Sequence, residues 1–175
     1  MVAPAVPAEP LTREFDEIFS AYCDLVHGTA LGVTGRHEDA EDVVQTVFLR
    51  LLRRDLPADI RKNLKAYLDR AAVNESLNVI RHRRRHPTTE LEGAEPSVEG
   101  AESIQAAVIH RILYEAIAGL KPKHAEILIL RHVHEYSDAE IAQLLGVSRG
   151  TIAVTLHRTR AQLKRLLRAT LGGIA

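Results

Sequence analysis

The sequence predicts an all-α protein built as two small helical domains joined by a flexible acidic linker. Three observations carry that expectation. Apolar residues recur at helical spacing over several long windows, and no segment shows the period-two alternation of a half-buried strand. The stretch PTTELEGAEPSVEGAES, Pro87 to Ser103, holds five glutamates, two prolines, two glycines and no basic residue. Such a segment buries too little apolar surface to order itself and reads as a solvated tether. Third, six cations and no acid follow Ile141, although the whole chain balances 23 basic against 23 acidic residues. One-sided clustering inside a neutral chain is the footprint of a phosphate-binding surface. The resulting divisions are a flexible leader 1–10, a first domain 11–86, a linker 87–103 and a second domain 104–172.

The leader, MVAPAVPAEP, has neither a basic region nor an apolar core, so it does not read as a secretory signal. Leu11 to Leu56 is expected to be helical, with a break around Gly32-Val33-Thr34-Gly35 and an end at Pro57. Within it, Ala40, Val43, Val44, Val47, Phe48 and Leu51 form one apolar helix face. The other face carries Glu38, Glu41, Asp42, Gln45 and Thr46 early and Arg50, Arg53 and Arg54 late. Acids first and bases last suit the helix dipole, and a protein-binding face fits the same pattern equally well.

A second helical stretch runs from about Asn63 to Arg85, with Leu64, Tyr67, Leu68, Ala71, Ala72, Leu77 and Ile80 as core candidates. Asn74 and Asn78 lie one turn apart and share a polar face with Arg70 and Arg81. Arg81, Arg83, Arg84 and Arg85 follow, interleaved with His82 and His86. Asparagine pairs bidentately with a base edge and arginine neutralises phosphate, so this face is a candidate nucleic-acid surface.

In the second domain, SDAE at Ser137 to Glu140 reads as a capping box opening a helix. Gly146 closes that helix, Val147 plugs the turn and Ser148 caps the next one. Two short helices around a glycine turn make a helix-turn-helix, whose second helix enters the major groove. Ile152 and Leu156 are expected to face inward, with Arg149, Ala153, Thr155, His157 and Arg158 outward.

Other functions find little support. A single cysteine, Cys23, excludes an intramolecular disulfide and fits a reducing, cytoplasmic setting. No apolar run is long enough for a membrane span, so no membrane insertion is expected. His132 and His134 are two residues apart in a helical region, His110 and His124 are isolated, and no cysteine or carboxylate cluster completes a metal site. Neither a nucleophile–base pair nor a phosphate-binding glycine loop is present, which points to a non-enzyme without cofactor.

From Phe15 to Leu167 the order and spacing of these segments resemble the extracytoplasmic-function (ECF) group of the sigma-70 family, bacterial RNA polymerase sigma factors. DAEDVVQTVFLRLL resembles the region 2 helix that docks on the polymerase clamp, which places Asp39, Glu41, Asp42, Gln45 and Arg50 at that contact. AYLDRAAVNESLNVIRHRRR resembles the segment that reads and opens the minus-10 element. It implies roles for Asn74 and Asn78 near an unstacked base and for Arg81, Arg83 and Arg84 on the DNA side. The segment from Leu113 to Leu167 resembles region 4, with Arg149, Thr151, Thr155, His157 and Arg158 on the minus-35 recognition helix and Arg160 at a phosphate. The implied partners are core RNA polymerase, through its clamp and flap, promoter DNA, and an anti-sigma factor as a further candidate.

Four departures from the family pattern stand out. Thr46 occupies a position where an acid is common, Tyr67 replaces a frequent tryptophan, and Asp69 replaces a common aromatic. Ala153-Val154-Thr155 replaces a Lys-Ser-Arg-like run, leaving a less cationic recognition helix suited to a thymine methyl. The family's consensus promoter therefore does not transfer. The acidic linker, passing near the cationic clusters, is expected to screen them in the free protein. The competing reading is a free-standing helix-turn-helix regulator, which leaves the DAED helix and the Asn/Arg segment without roles.

Overall fold

The computed structural model describes residues 10–53, 61–86 and 101–172, and every described element is an α-helix. They are α1 (Pro10–Thr34), α2 (His37–Leu52), α3 (Leu64–Arg85), α4 (Ala101–Ala118), α5 (Pro122–His132), α6 (Asp138–Leu145) and α7 (Arg149–Gly172). None is long and apolar enough to cross a membrane.

Helix α1 runs through Gly32 and stops at Thr34, inside the expected break. At its end Thr34 Oγ1 donates to the Ala30 carbonyl at 2.8 Å, and Gly35 adopts a left-handed φ of 71° that turns the chain into α2. The apolar face of α2, from Ala40 to Leu51, is buried as its periodicity requires. It packs with Val26 and Ala30 of α1 and Leu68 and Ala72 of α3 into a first core. Phe48 sits inside this core, edge-on to Phe15 and Phe19.

Helix α3 has a second apolar face. Val73, Leu77 and Ile80 turn away from α2 and enter a core with Ile117, Leu128, Ile129, Ile141, Ile152 and Leu156 of α4 to α7. The two halves of the chain therefore share a core through α3. Each large side chain fully buried there contributes about 1.5–3 kcal/mol over its exposed state.

The second half begins at Ala101, three residues inside the stretch expected to be linker; residues 87–100 lie outside the described residues, as does the screening expected of them. Pro122 opens α5 in its first turn, where the missing N–H costs nothing. The α5–α6 turn places Glu135 at a left-handed φ of 59°. Helix α6 has the expected capping box, Glu140 N–H donating to Ser137 Oγ at 3.2 Å and Ser137 N–H to Glu140 Oε2 at 2.8 Å. Hydrogen bonding from the Ser137 side chain and from its backbone N–H holds the Glu140 carboxyl below its ordinary value. At its other end Gly146 is left-handed, and the Val147 N–H donates to Ala142 O at 3.0 Å, closing a Schellman motif. Ser148 Oγ then accepts from the Thr151 N–H at 3.1 Å and caps α7.

Candidate nucleic-acid interface

On α7, Ile152, Leu156 and Thr159 are buried against the rest of the second half. Gly150, Val154, His157, Arg158 and Ala161 share the opposite, exposed face. Val154 lies at its centre, 50% exposed with no packing role. Arg149 and Thr151 are exposed at the start of the helix, and the Thr151 hydroxyl lies 2.8 Å from Ser148 Oγ in the cap. Thr155 is half-buried at the edge of the face. Arg160 turns back toward α5, where its guanidinium donates to His132 Nε2 at 3.0 Å. Burial and the neighbouring Arg160 and Arg131 lower the His132 pKa from its ordinary value, which keeps this nitrogen free to accept. His132 and His134 point to different partners.

The expected minus-10 residues divide. Asn74, with Val47, Arg50, Tyr67, Arg70 and Ala71, lines an open groove between α2 and α3 of about 330 Å³. That volume suffices for a small ligand, and the lining couples an aromatic ring to an amide and two guanidinium groups. Asn74 is not free in this state: its Nδ2 donates to Glu126 Oε1 of α5 at 2.9 Å. Arg70 Nε bonds the same oxygen at 2.5 Å. Asn78 is exposed and accepts from Arg81 Nη1 at 3.3 Å, while Arg81 Nε caps α4 through the Ala118 carbonyl at 2.9 Å. Arg83 pairs with Asp39 at 2.8 Å, and Arg84 is exposed.

The five residues grouped on α2 divide as well. Glu41, Asp42 and Gln45 are exposed on one stripe that continues into Leu49 and Leu52, 51% and 58% exposed. Asp39 and Arg50 lie off that stripe and face α3, Asp39 on Arg83 and Arg50 on Glu75. Asp39 and Arg83, expected at two different partners, thus bind each other. An acidic stripe ending in two bare leucines has the composition of a protein contact.

Sequence reasoning missed Leu49 and Leu52, because it read the outer face of α2 for its polar and charged residues alone, and the burial of the carboxylates between the halves. Asp69 is fully buried, and its Oδ2 accepts from Lys65 Nζ at 2.8 Å and Tyr136 Oη at 2.7 Å. His134 Nδ1 lies 3.6 Å from its other oxygen. Burial, the bond to Asp69 and its charge push the Tyr136 pKa up; burial, aided by Lys65, pushes the His134 imidazole down against the pull of Asp69. The signals were a lone acid beside core Leu68 and a glutamate inside the apolar run AEILIL.

Comparison with known proteins agrees with this layout. Residues 18–86 match the family described as Sigma-70 region 2, and residues 110–163 the family described as Sigma-70, region 4. The chain is 31% identical over 156 residues to an RNA polymerase sigma-E factor of Streptomyces antibioticus, spanning 88% of this chain and 84% of that one. It is 28% identical over 153 residues to the ECF RNA polymerase sigma factor SigM of Mycobacterium tuberculosis, spanning 87% and 76%. Among solved structures, the sigma factor RpoE in complex with the anti-sigma factor NepR from Bartonella quintana superposes with a TM-score of 0.50 at 21% identity, over 89% of this chain and 98% of that one. CnrH in complex with the cytosolic domain of CnrY gives 0.52 at 20% identity, over 90% of each. At those identities the structural likeness speaks for the fold.

Proposed function

The chain belongs to the ECF group of the sigma-70 family and functions as an RNA polymerase sigma factor, and we propose that it does so through three separate surfaces. The stripe Glu41, Asp42, Gln45, Leu49 and Leu52 docks on the polymerase clamp. Acids supply orientation there and the leucines supply apolar area that loses water on docking. Region 4 grips the minus-35 duplex with α7. Arg158 and Arg149 neutralise phosphates, while His157 and Thr151 approach base edges. Val154 presents an isopropyl group where the only apolar atom on a base edge is the thymine methyl.

The groove between α2 and α3 receives an unstacked minus-10 base. Tyr67 offers a stacking surface, the Asn74 amide a hydrogen-bonding edge, and Arg50 and Arg70 charge for the flanking phosphates. Arg84 extends the phosphate track, whereas Arg83 with Asp39 fixes α2 on α3. Arg50 therefore moves from the polymerase set to the DNA set, and Arg160 is a positioning residue against His132. The polymerase performs the chemistry, so this chain supplies recognition and no catalytic group. It acts in the cytoplasm, and an anti-sigma factor is a further candidate partner, since one is bound in the RpoE neighbour.

The observation that carries the reading is the pairing, on one chain, of a duplex-type surface on α7 with a single-strand-type groove at Asn74. In vitro transcription with core polymerase tests it. The parent chain should direct initiation at discrete sites, and binding to those sites should depend on polymerase. The double change Asp42→Arg with Gln45→Arg, at exposed positions, should leave the fold intact and lower retention on immobilised core enzyme. Site-specific duplex binding and unchanged promoter selection without polymerase would instead favour a free-standing regulator.

A further inference from the structure

On α7, Arg149, Ala153, His157, Arg160 and Lys164 fall along one exposed flank that borders the outward face. Arg160 is drawn off that flank: its Nε and Nη2 donate to His132 Nε2 at 3.3 and 3.0 Å. Guanidinium nitrogens only donate, so His132 Nε2 carries a lone pair and the ring proton sits on Nδ1. The contact exists only with a neutral imidazole, because a proton on Nε2 removes the acceptor and sets two cations against each other. Arg160 faces the ring from α7, Arg131 from its own helix and Asp138 from α6. Asp138 is itself engaged by Arg131 Nε at 3.2 Å. Burial of the ring, then Arg160 and Arg131, hold His132 below its ordinary value against the pull of Asp138. A protonated His132 would leave Arg131, Arg160 and the imidazolium facing Asp138 alone.

We propose that His132 and Arg160 are the two jaws of a latent phosphate clamp: when a duplex phosphate reaches this flank of α7, Nε2 takes up one proton and both side chains donate to the phosphate oxygens. This rests on the duplex role given to α7 above. The proton comes from solvent. The Arg160 N–H groups leave Nε2 for one phosphate oxygen and the new Nε2–H goes to another, so each donor keeps an acceptor. The phosphodiester charge offsets the excess of cations that otherwise keeps the ring neutral. Without DNA, Arg160 positions α7 against α5; with DNA it becomes a ligand and His132 joins it. A phosphate clamp adds grip and salt dependence without sequence preference. Because the bound form holds the extra proton, affinity for duplex rises as pH falls.

Two measurements on the full chain test the clamp. The first follows the anisotropy of a fluorescent random-sequence DNA duplex at about pH 7.5 and about pH 5.5, on either side of an ordinary imidazole. His132→Gln, at an exposed position, keeps a neutral acceptor for Arg160 and cannot take up the proton. On acidification the parent should gain about tenfold more affinity than this variant, and its salt slope should steepen by about one unit more. Equal gains would overturn the proposal, because histidines common to both chains would then account for the pH dependence. The second follows the His132 imidazole titration by NMR in sodium sulfate and in sodium chloride of equal ionic strength. Sulfate, standing in for the phosphodiester, should move the His132 midpoint to higher pH, and Arg160→Ala should abolish the movement. An unmoved midpoint in the parent would overturn the clamp. If sulfate moves the midpoint yet no chain binds the duplex, the anion site is confirmed and it is the duplex reading of α7 that fails.

Discussion

The helix-turn-helix and α3 carry the two proposed DNA surfaces, and they are fixed by different kinds of contact. From Ser137 to Thr151 the chain is set by neighbours three to five residues away: a capping box, a Schellman closure and a second cap. Helix α3 is set by residues dozens of positions distant: Asp39 on Arg83, Glu126 on Arg70 and Asn74, Tyr136 on Asp69. The turn and caps of the first are local, although Ile152 and Leu156 also enter the shared core. The second can be covered or uncovered by moving its partners.

The comparison breaks most readily at Leu77, fully buried where α3 enters the core of the second half. Leu77→Ala should cost about 2–5 kcal/mol. Because that core is shared, denaturant unfolding followed by probes in each half should shift together. A shift confined to one half would mean that the halves are packed side by side without a common core. Ser137→Ala is a smaller, local break. It should cost about 1 kcal/mol, with faster hydrogen exchange confined to α6. Loss of protection spreading to α3 would show the helix-turn-helix to be less self-contained than its caps suggest.

Each side carries a histidine held below its ordinary value, His132 beside Arg160 and, on the α3 side, His134. Burial holds the His134 imidazole below its ordinary value of 6.5, with Asp69 pulling the other way. The unfolded chain therefore takes up that proton first on acidification. Stability from this group is whole above about pH 6.5 and is lost as pH falls toward the lower native value. Asp69, Lys65 and Tyr136 are the groups that face it. Melting curves over that window should slope less in His134→Gln than in the parent, and equal slopes would remove His134 from the account.

This difference in construction also decides what could be read from the sequence. The capping box, the Gly146 turn, the Ser148 cap, the inward Ile152 and Leu156 and the buried face of α2 follow from local spacing, and all are present. The partners of α3 do not follow. Leu77 and Ile80 scored as core, but spacing cannot say that their core belongs to α4 to α7. Asp39 and Arg50 shared a helix with Glu41, Asp42 and Gln45, yet a turn of about 100° per residue put them against Arg83 and Glu75. Asp69 stands out in the sequence only as a departure from a common aromatic, and neither its burial nor that of Glu126 follows from local spacing.

The division of labour between the two DNA surfaces is tested most directly by permanganate footprinting of unpaired thymines on a promoter bound by polymerase and this chain, with Asn74→Ala set against Arg158→Ala. Asn74→Ala should bind the closed promoter like the parent and expose fewer thymines, because the contact it lacks forms only after a base leaves the stack. Arg158→Ala should weaken duplex binding and lower its salt slope by about one unit, with opening reduced only in proportion to occupancy. Thymine reactivity equal to the parent in Asn74→Ala at matched occupancy would contradict the account: Asn74 would then be a structural partner of Glu126, and α3 would not be the strand-reading surface.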